Sequence, residues 1–229
     1  MLRWILAAMA MALMLAACGS EDAIYSNDEI NTGDVLARFE FEEAQTAFET
    51  GDFPEENARL YVENGVLNLE QSGESSRYIW GQGGEIAQNV DIRVDATSQA
   101  AYDNNLYGVM CRVNSDGEGY AFLVSNDGFG AIARADLGRR LSLSFIVPWV
   151  QHDAIHEGQA SNTLRAVCID DYLALYVNDT FIADVRDDEV QAPGEVGVLG
   201  GFFVEGVSES GEVVVQFDNL TMMAADLSE

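Results

Sequence analysis

Few residues in this chain could run acid–base, nucleophilic or metal chemistry. His152 and His156 are spaced i,i+4, which on a helix would set two imidazoles on one face as metal ligands. Their segment, Trp149-Val150-Gln151-His152-Asp153-Ala154-Ile155-His156-Glu157-Gly158, lies between two strand-like runs and offers no third ligand at metal spacing. Both read as loop histidines. Glu40 and Glu42 come nearest to the paired carboxylates of a retaining glycosidase, because alternate strand positions share a face. With 39 acidic residues, pairs at this spacing arise by chance, and no third acid accompanies this one. It reads as a solvated strand face. Asp218 and Asn219 could join Glu40 or Glu42 around a structural calcium if the first and last strands pair. Equally, they could end a strand by bonding its backbone. No metal, cofactor or catalytic residue is assigned, and no G-x-S-x-G elbow, phosphate loop or dinucleotide fingerprint occurs. The remaining chemistry is stacking and hydrogen bonding. Aromatics outside the strand cores are Tyr102, beside Asp103-Asn104-Asn105, then Phe129, after Asn126-Asp127-Gly128, and Trp149. Tyr102, Asn104, Phe129 and Trp149 are therefore the candidate ligand-binding residues. Phe202 and Phe203, next to Gly200-Gly201, read as the cap of a sheet edge.

The elements that must position these groups are strands. From Val35 onward apolar residues recur with period two, as in Asn89–Asp95 and in Tyr107, Val109, Cys111 and Val113, with Gly108, Met110 and Arg112 on the opposite face. Further runs are 120–125, 129–134, 141–147, 164–169, 172–177, 181–185, 196–200 and 213–217. Turn chemistry separates them at Glu63-Asn64-Gly65, Asn126-Asp127-Gly128 and Asn178-Asp179. About a dozen short strands with turns between them imply an all-β, two-sheet antiparallel β-sandwich. The charge excludes nucleic acid as a partner: eleven cations, all Arg, face 39 acids, a net charge of −28. A hydrophobic fraction of 48% excludes wholesale disorder.

Residues 1–17 form a targeting segment, with Arg3 ahead of an apolar run from Trp4 to Ala17 that is short for a bilayer span. The run ends in Leu15-Ala16-Ala17-Cys18, which resembles the lipobox of exported lipoproteins. That resemblance implies cleavage before Cys18, acylation of its thiol, and anchoring to a membrane surface at the cell envelope. Residues 18–34 are polar and acidic and read as a tether, with the sandwich domain spanning 35–225. Removing Cys18 from the count leaves Cys111 and Cys168, which export would allow to form a disulfide. The absence of Lys and the acid excess resemble salt-adapted proteins.

The series Tyr107-Gly108-Val109-Met110-Cys111-Arg112, Gly119-Tyr120-Ala121-Phe122 and Asn126-Asp127-Gly128 is similar to the middle strands of concanavalin A-like, laminin-G-like jelly rolls. The likeness continues through Asn162–Cys168, Leu173–Asn178, Gly194–Val198 and Val215–Leu220; residues 35–97 fit it only in outline. It implies a jelly-roll fold, and by fold analogy a binding or adhesion module whose partner is a glycan. An envelope glycan-processing hydrolase, or a purely structural surface protein, are the alternatives.

Overall fold

The computed structural model describes residues 23–42, 47–204 and 210–228. Residues 1–17, which the sequence reads as a targeting segment, and Cys18 lie outside these residues. Fifteen strands follow one another, and no α-helix occurs among the described residues. They are β1 (Ile30–Phe39), β2 (Gly51–Phe53), β3 (Ala58–Glu63), β4 (Val66–Gly73), β5 (Arg77–Ala87), β6 (Val90–Ser98), β7 (Asn105–Val113) and β8 (Glu118–Val124), then β9 (Phe129–Asp136), β10 (Ser142–Gln151), β11 (Ser161–Ile169), β12 (Tyr172–Val177), β13 (Thr180–Arg186), β14 (Gly194–Phe202) and β15 (Gly211–Leu227). They form two antiparallel sheets. A nine-stranded sheet runs β13-β12-β11-β6-β15-β4-β3-β2 with β1 also on β15, and a six-stranded sheet runs β10-β9-β8-β7-β14-β5.

Alternation explains the layering. Tyr107, Val109 and Cys111 of β7 face Leu164, Ala166 and Cys168 of β11 in one large apolar core between the sheets. Cys111 and Cys168 are fully buried there and form a disulfide that joins the two sheets across 57 positions. Small residues set the close approach: a Cβ on Gly200 of β14 would meet Leu69 Cδ2 at 2.3 Å. The Asn178-Asp179 hairpin works without glycine because both residues take left-handed φ, 51° and 61°.

The structure departs from the sequence reading at three places in the framework. Val113 does not continue the inward face of Cys111. Arg112 sits at φ 56°, a bulge there breaks the alternation, and Val113 joins Leu106 and Met110 on the opposite face. Arg112 itself leaves that face and turns into the protein. It is 2% exposed and donates to Gln88 O (2.9 Å), Val190 O (2.9 Å) and Asp170 O (2.7 Å), tying three loops together.

The chain before Val35 is also built into the sandwich. β1 begins at Ile30, which is buried and pairs with Leu227 of β15. Ahead of it Tyr25 stacks edge-on against Tyr172 at 4.9 Å, and the Arg186 guanidinium lies 5.1 Å from its ring. A 3-10 turn at Asn27–Glu29 brings Asn27 against Arg165. Arg165 in turn donates to both oxygens of the fully buried Asp91, the shortest at 2.7 Å. At the other end of β1, Phe41 does not extend the strand. It takes φ 47° and turns into a cluster with Phe39 and Phe48, leaving Glu40 and Glu42 exposed beyond the strand.

Candidate functional site

The two outer faces differ in chemistry. On the nine-stranded sheet the surface over β6, β11 and β15 is polar and internally bonded. Thr163 Oγ1 donates to Asp95 Oδ1 (2.7 Å), Asn219 Nδ2 to Asp95 Oδ2 (2.9 Å), and the Asn219 N–H to Asp218 Oδ1 (2.7 Å). First and last strands do pair, with Phe39 opposite Leu220. Asp218 nonetheless lies opposite Asp95 of β6, and Asp218 and Asn219 spend their side chains on this local network. Among the described residues no group of three or more His, Cys, Asp or Glu is set to hold a metal ion.

The outer face of the six-stranded sheet is apolar. Its floor is made of Leu106 and Met110 of β7, Ala121 and Leu123 of β8, Ala133 and Ala135 of β9, and Leu199 of β14, all buried. Half-buried aromatics flank it from both edges of the sheet: Tyr78 and Trp80 on β5, Trp149 on β10, and Phe203 just past β14. Glycines let these rings lie across the sheet. A Cβ on Gly201 would meet the Tyr78 ring at 2.6 Å, and one on Gly117, at φ +66°, would meet Trp80 at 2.9 Å. On the other edge Phe145 sits 5.4 Å from Trp149, ring to ring, and supports it. Where β5 and β14 pair, Gln82 Nε2 donates to Glu195 Oε2 (2.7 Å).

At one end the face opens into a recess of about 210 Å³, lined by Asn104, Asn105, Ser125, Asp127, Phe129, Trp149 and Phe203. Three sequence candidates, Asn104, Phe129 and Trp149, thus meet at one place, although 45 positions separate the first from the last. The fourth, Tyr102, stands behind them as a brace. Its hydroxyl donates to Phe203 O (2.5 Å), and its carbonyl accepts from Asn105 Nδ2 (2.7 Å) and Asn126 Nδ2 (3.2 Å). The Phe203 N–H donates to Asn104 O (2.9 Å), which fixes the two walls to each other. The β8–β9 turn is held as firmly. The Ser125 hydroxyl donates to Asp127 Oδ1, the Phe129 N–H to Ser125 Oγ (3.3 Å), and the Asn126 N–H to Asn105 Oδ1 (3.2 Å).

Sequence reasoning missed Phe203, Ser125 and Asp127 as lining residues, and it missed Tyr78 and Trp80 on the neighbouring face. Phe202 and Phe203 do not cap a sheet edge, because β14 lies between β7 and β5. Phe202 enters the core, fully buried, and Phe203 falls on the other side of the sheet and lines the recess. The alternation of the two phenylalanines was the available signal.

The histidines stand apart from this chemistry. His152 Nδ1 accepts from the Ala154 N–H (3.1 Å), while His156 Nδ1 lies 2.9 Å from Ser161 O. Both belong to the β10–β11 loop. That loop buttresses the β8–β9 turn, where the His152 N–H bonds Gly128 O (3.0 Å) and the Gly158 N–H bonds Asn126 O (2.8 Å). The recess therefore offers aromatic surface, amide groups, a hydroxyl and one carboxylate on a braced frame. Such an arrangement can bind; it holds no acid–base pair.

No family model matches the chain, and no curated protein matches it in sequence. Solved structures match in shape. A carbohydrate-binding module (CBM66) from Bacillus subtilis superposes with a TM-score of 0.57 at 16% identity, covering 78% of this chain and 96% of that one. An endo-β-1,3-glucanase from Pyrococcus furiosus gives 0.56 at 12% identity over 87% and 99%. A Bacillus subtilis protein described as having a galectin-like fold gives 0.56 at 10% over 87% and 100%. The fold is a concanavalin A-like jelly roll. At these identities the likeness establishes architecture alone, and what the jelly roll does must be read from its own residues.

Proposed function

We propose that this jelly roll is a non-catalytic glycan-binding module, which takes its ligand in the recess at Trp149, at one end of the outer face of the six-stranded sheet. The observation that carries this reading is the convergence of Trp149, Phe129 and Phe203 with Asn104 and Asp127 on one braced recess. Sugar rings have apolar faces edged by hydroxyls. A stacking aromatic with amide and carboxylate acceptors nearby matches both aspects. Two of the similar folds are a carbohydrate-binding module and an endo-β-1,3-glucanase, which supports the ligand class. Retaining chemistry needs two carboxylates about 5–5.5 Å apart, and among the described residues that line the recess Asp127 is the one carboxylate.

The proposal includes place. With Cys18 acylated after cleavage of residues 1–17, the domain would sit at a membrane surface of the cell envelope, and Cys18→Ala would abolish acyl labelling and membrane retention. Tyr25, clamped on the nine-stranded sheet, lies only seven positions after Cys18, so that sheet would be the one held near the anchor.

The test is a glycan array probed with the full chain and with Trp149→Ala. Binding by the parent that the variant loses supports the reading. Binding that the variant retains, or no binding to any glycan, refutes it.

A further inference from the structure

The charge of the recess narrows the ligand further. Of the described residues that line it, Asp127 alone is charged, and it is exposed at the tip of the β8–β9 turn. Its Oδ1 accepts from the Ser125 hydroxyl, and among the described residues no protein donor reaches Oδ2. Further carboxylates stand close by. Glu157 lies over the same turn, its Oε1 2.9 Å from where a Gly128 Cβ would be, and Asp103 is exposed next to Asn104. Among the described residues no Arg lines the recess, and the chain has no Lys. His152 reaches the same turn through its backbone N–H, which bonds Gly128 O, and its Nδ1 accepts from the Ala154 N–H.

Three aromatic residues around a carboxylate, in a protein of net charge −28, are poorly suited to an anionic sugar and well suited to an ammonium group. The aromatic faces attract a cation through their quadrupoles. The carboxylate gives it a counter-ion, and the acidic surface steers it inward.

Resting on the glycan-binding reading, we infer that the recess recognises an ammonium-bearing ligand, specifically the protonated amino group of an amino sugar. The ammonium sits against Trp149 and Phe129 with Asp127 as its counter-ion, and Asn104 accepts or donates at a neighbouring hydroxyl. A quaternary ammonium group such as choline shares the cation chemistry and lacks the sugar.

The experiment is calorimetric titration of the full chain with four probes: a glucosamine oligomer, its N-acetylated counterpart, a glucose oligomer of the same length, and free choline. The glucosamine oligomer should bind at least about tenfold more tightly than either neutral oligomer, and its affinity should fall as NaCl is raised. Asp127→Asn should remove that preference, while Trp149→Ala should remove binding itself. This second variant separates the recess from diffuse attraction of a polycation to an acidic surface. Equal or tighter binding of the neutral oligomers, an unchanged preference in Asp127→Asn, cationic binding that survives Trp149→Ala, or no binding of any cationic probe would each overturn the inference. Neutral oligomers bound through Trp149 regardless of Asp127 would leave the glycan reading standing without the cation. Choline bound without any oligomer would keep the ammonium site and defeat the glycan reading.

Discussion

Replacing Arg112 with Met tests how the site-bearing sheet is fastened to the loops below it. The substitution keeps an unbranched side chain of similar reach and removes the donors to the Gln88, Val190 and Asp170 carbonyls. Those bonds go to carbonyls and not to carboxylates; the Tyr120 ring lies 5.8 Å from the guanidinium, and the Asp170 carboxylate attracts it through space. A hydrogen bond from a charged donor contributes about 1.5–3 kcal/mol, and a buried acceptor left unpaired costs about 1–3 kcal/mol. Three bonds taken together, less the desolvation that a buried guanidinium no longer suffers, give a net loss of about 3–5 kcal/mol. For a domain of this size that lowers the melting temperature by roughly 10 °C. Urea unfolding followed by circular dichroism reads the effect as a fall in midpoint with unchanged slope. Arg112→Lys should recover only part of it, since one ammonium cannot span three carbonyls. A melt of Arg112→Met within about 2 °C of the parent would refute the reasoning.

Three further outcomes are expected. Reduction of the Cys111–Cys168 disulfide, which spans 57 positions, should destabilise the domain by about 4 kcal/mol on chain-entropy grounds, and non-reducing mass spectrometry should find the cross-linked peptide; two freely alkylated thiols would contradict it. Raising NaCl from low concentration to about 2 M should raise the melting temperature, because salt screens the repulsion within a chain of net charge −28; a flat or falling curve would contradict it. Burial and a 2.6 Å hydrogen bond to Asp187 push the Tyr120 hydroxyl up to about 12, above its ordinary 10.0, so the neutral form is favoured by folding. That contribution is complete below pH 10 and is lost as pH rises towards 12, and Tyr120→Phe should flatten this part of an alkaline stability profile.

The sequence made most of the framework legible because period-two alternation with turn residues has one structural solution. It failed where side chains far apart in sequence decide the outcome. Tyr25 and Asn27 look like tether, being polar and aperiodic, yet Tyr172, Arg186 and Arg165 hold them. β5 carries Gly81, Gly83 and Gly84 and gives no clean alternation, so Tyr78 and Trp80 were not seen as a wall of the site. In the recess, Asn104, Phe129 and Trp149 stood out as aromatics and amides beside strand ends. Phe203 was hidden by its neighbour Phe202, and Asp127 by its role as a turn residue. Alternation puts the two phenylalanines on opposite faces, and the pairing of β14 with β5 and β7 shows that neither lies at a sheet edge.

Ligand mapping by amide chemical shifts tests the central claim most directly. The isotope-labelled chain is titrated with the tightest ligand from the array, and perturbed residues are located on the fold. The account predicts shifts concentrated at Asn104, Asn105, Ser125, Asp127, Phe129, Trp149 and Phe203, fading along the six-stranded sheet. Shifts centred instead on Asp95, Thr163 and Asn219 of the opposite, nine-stranded face would contradict it.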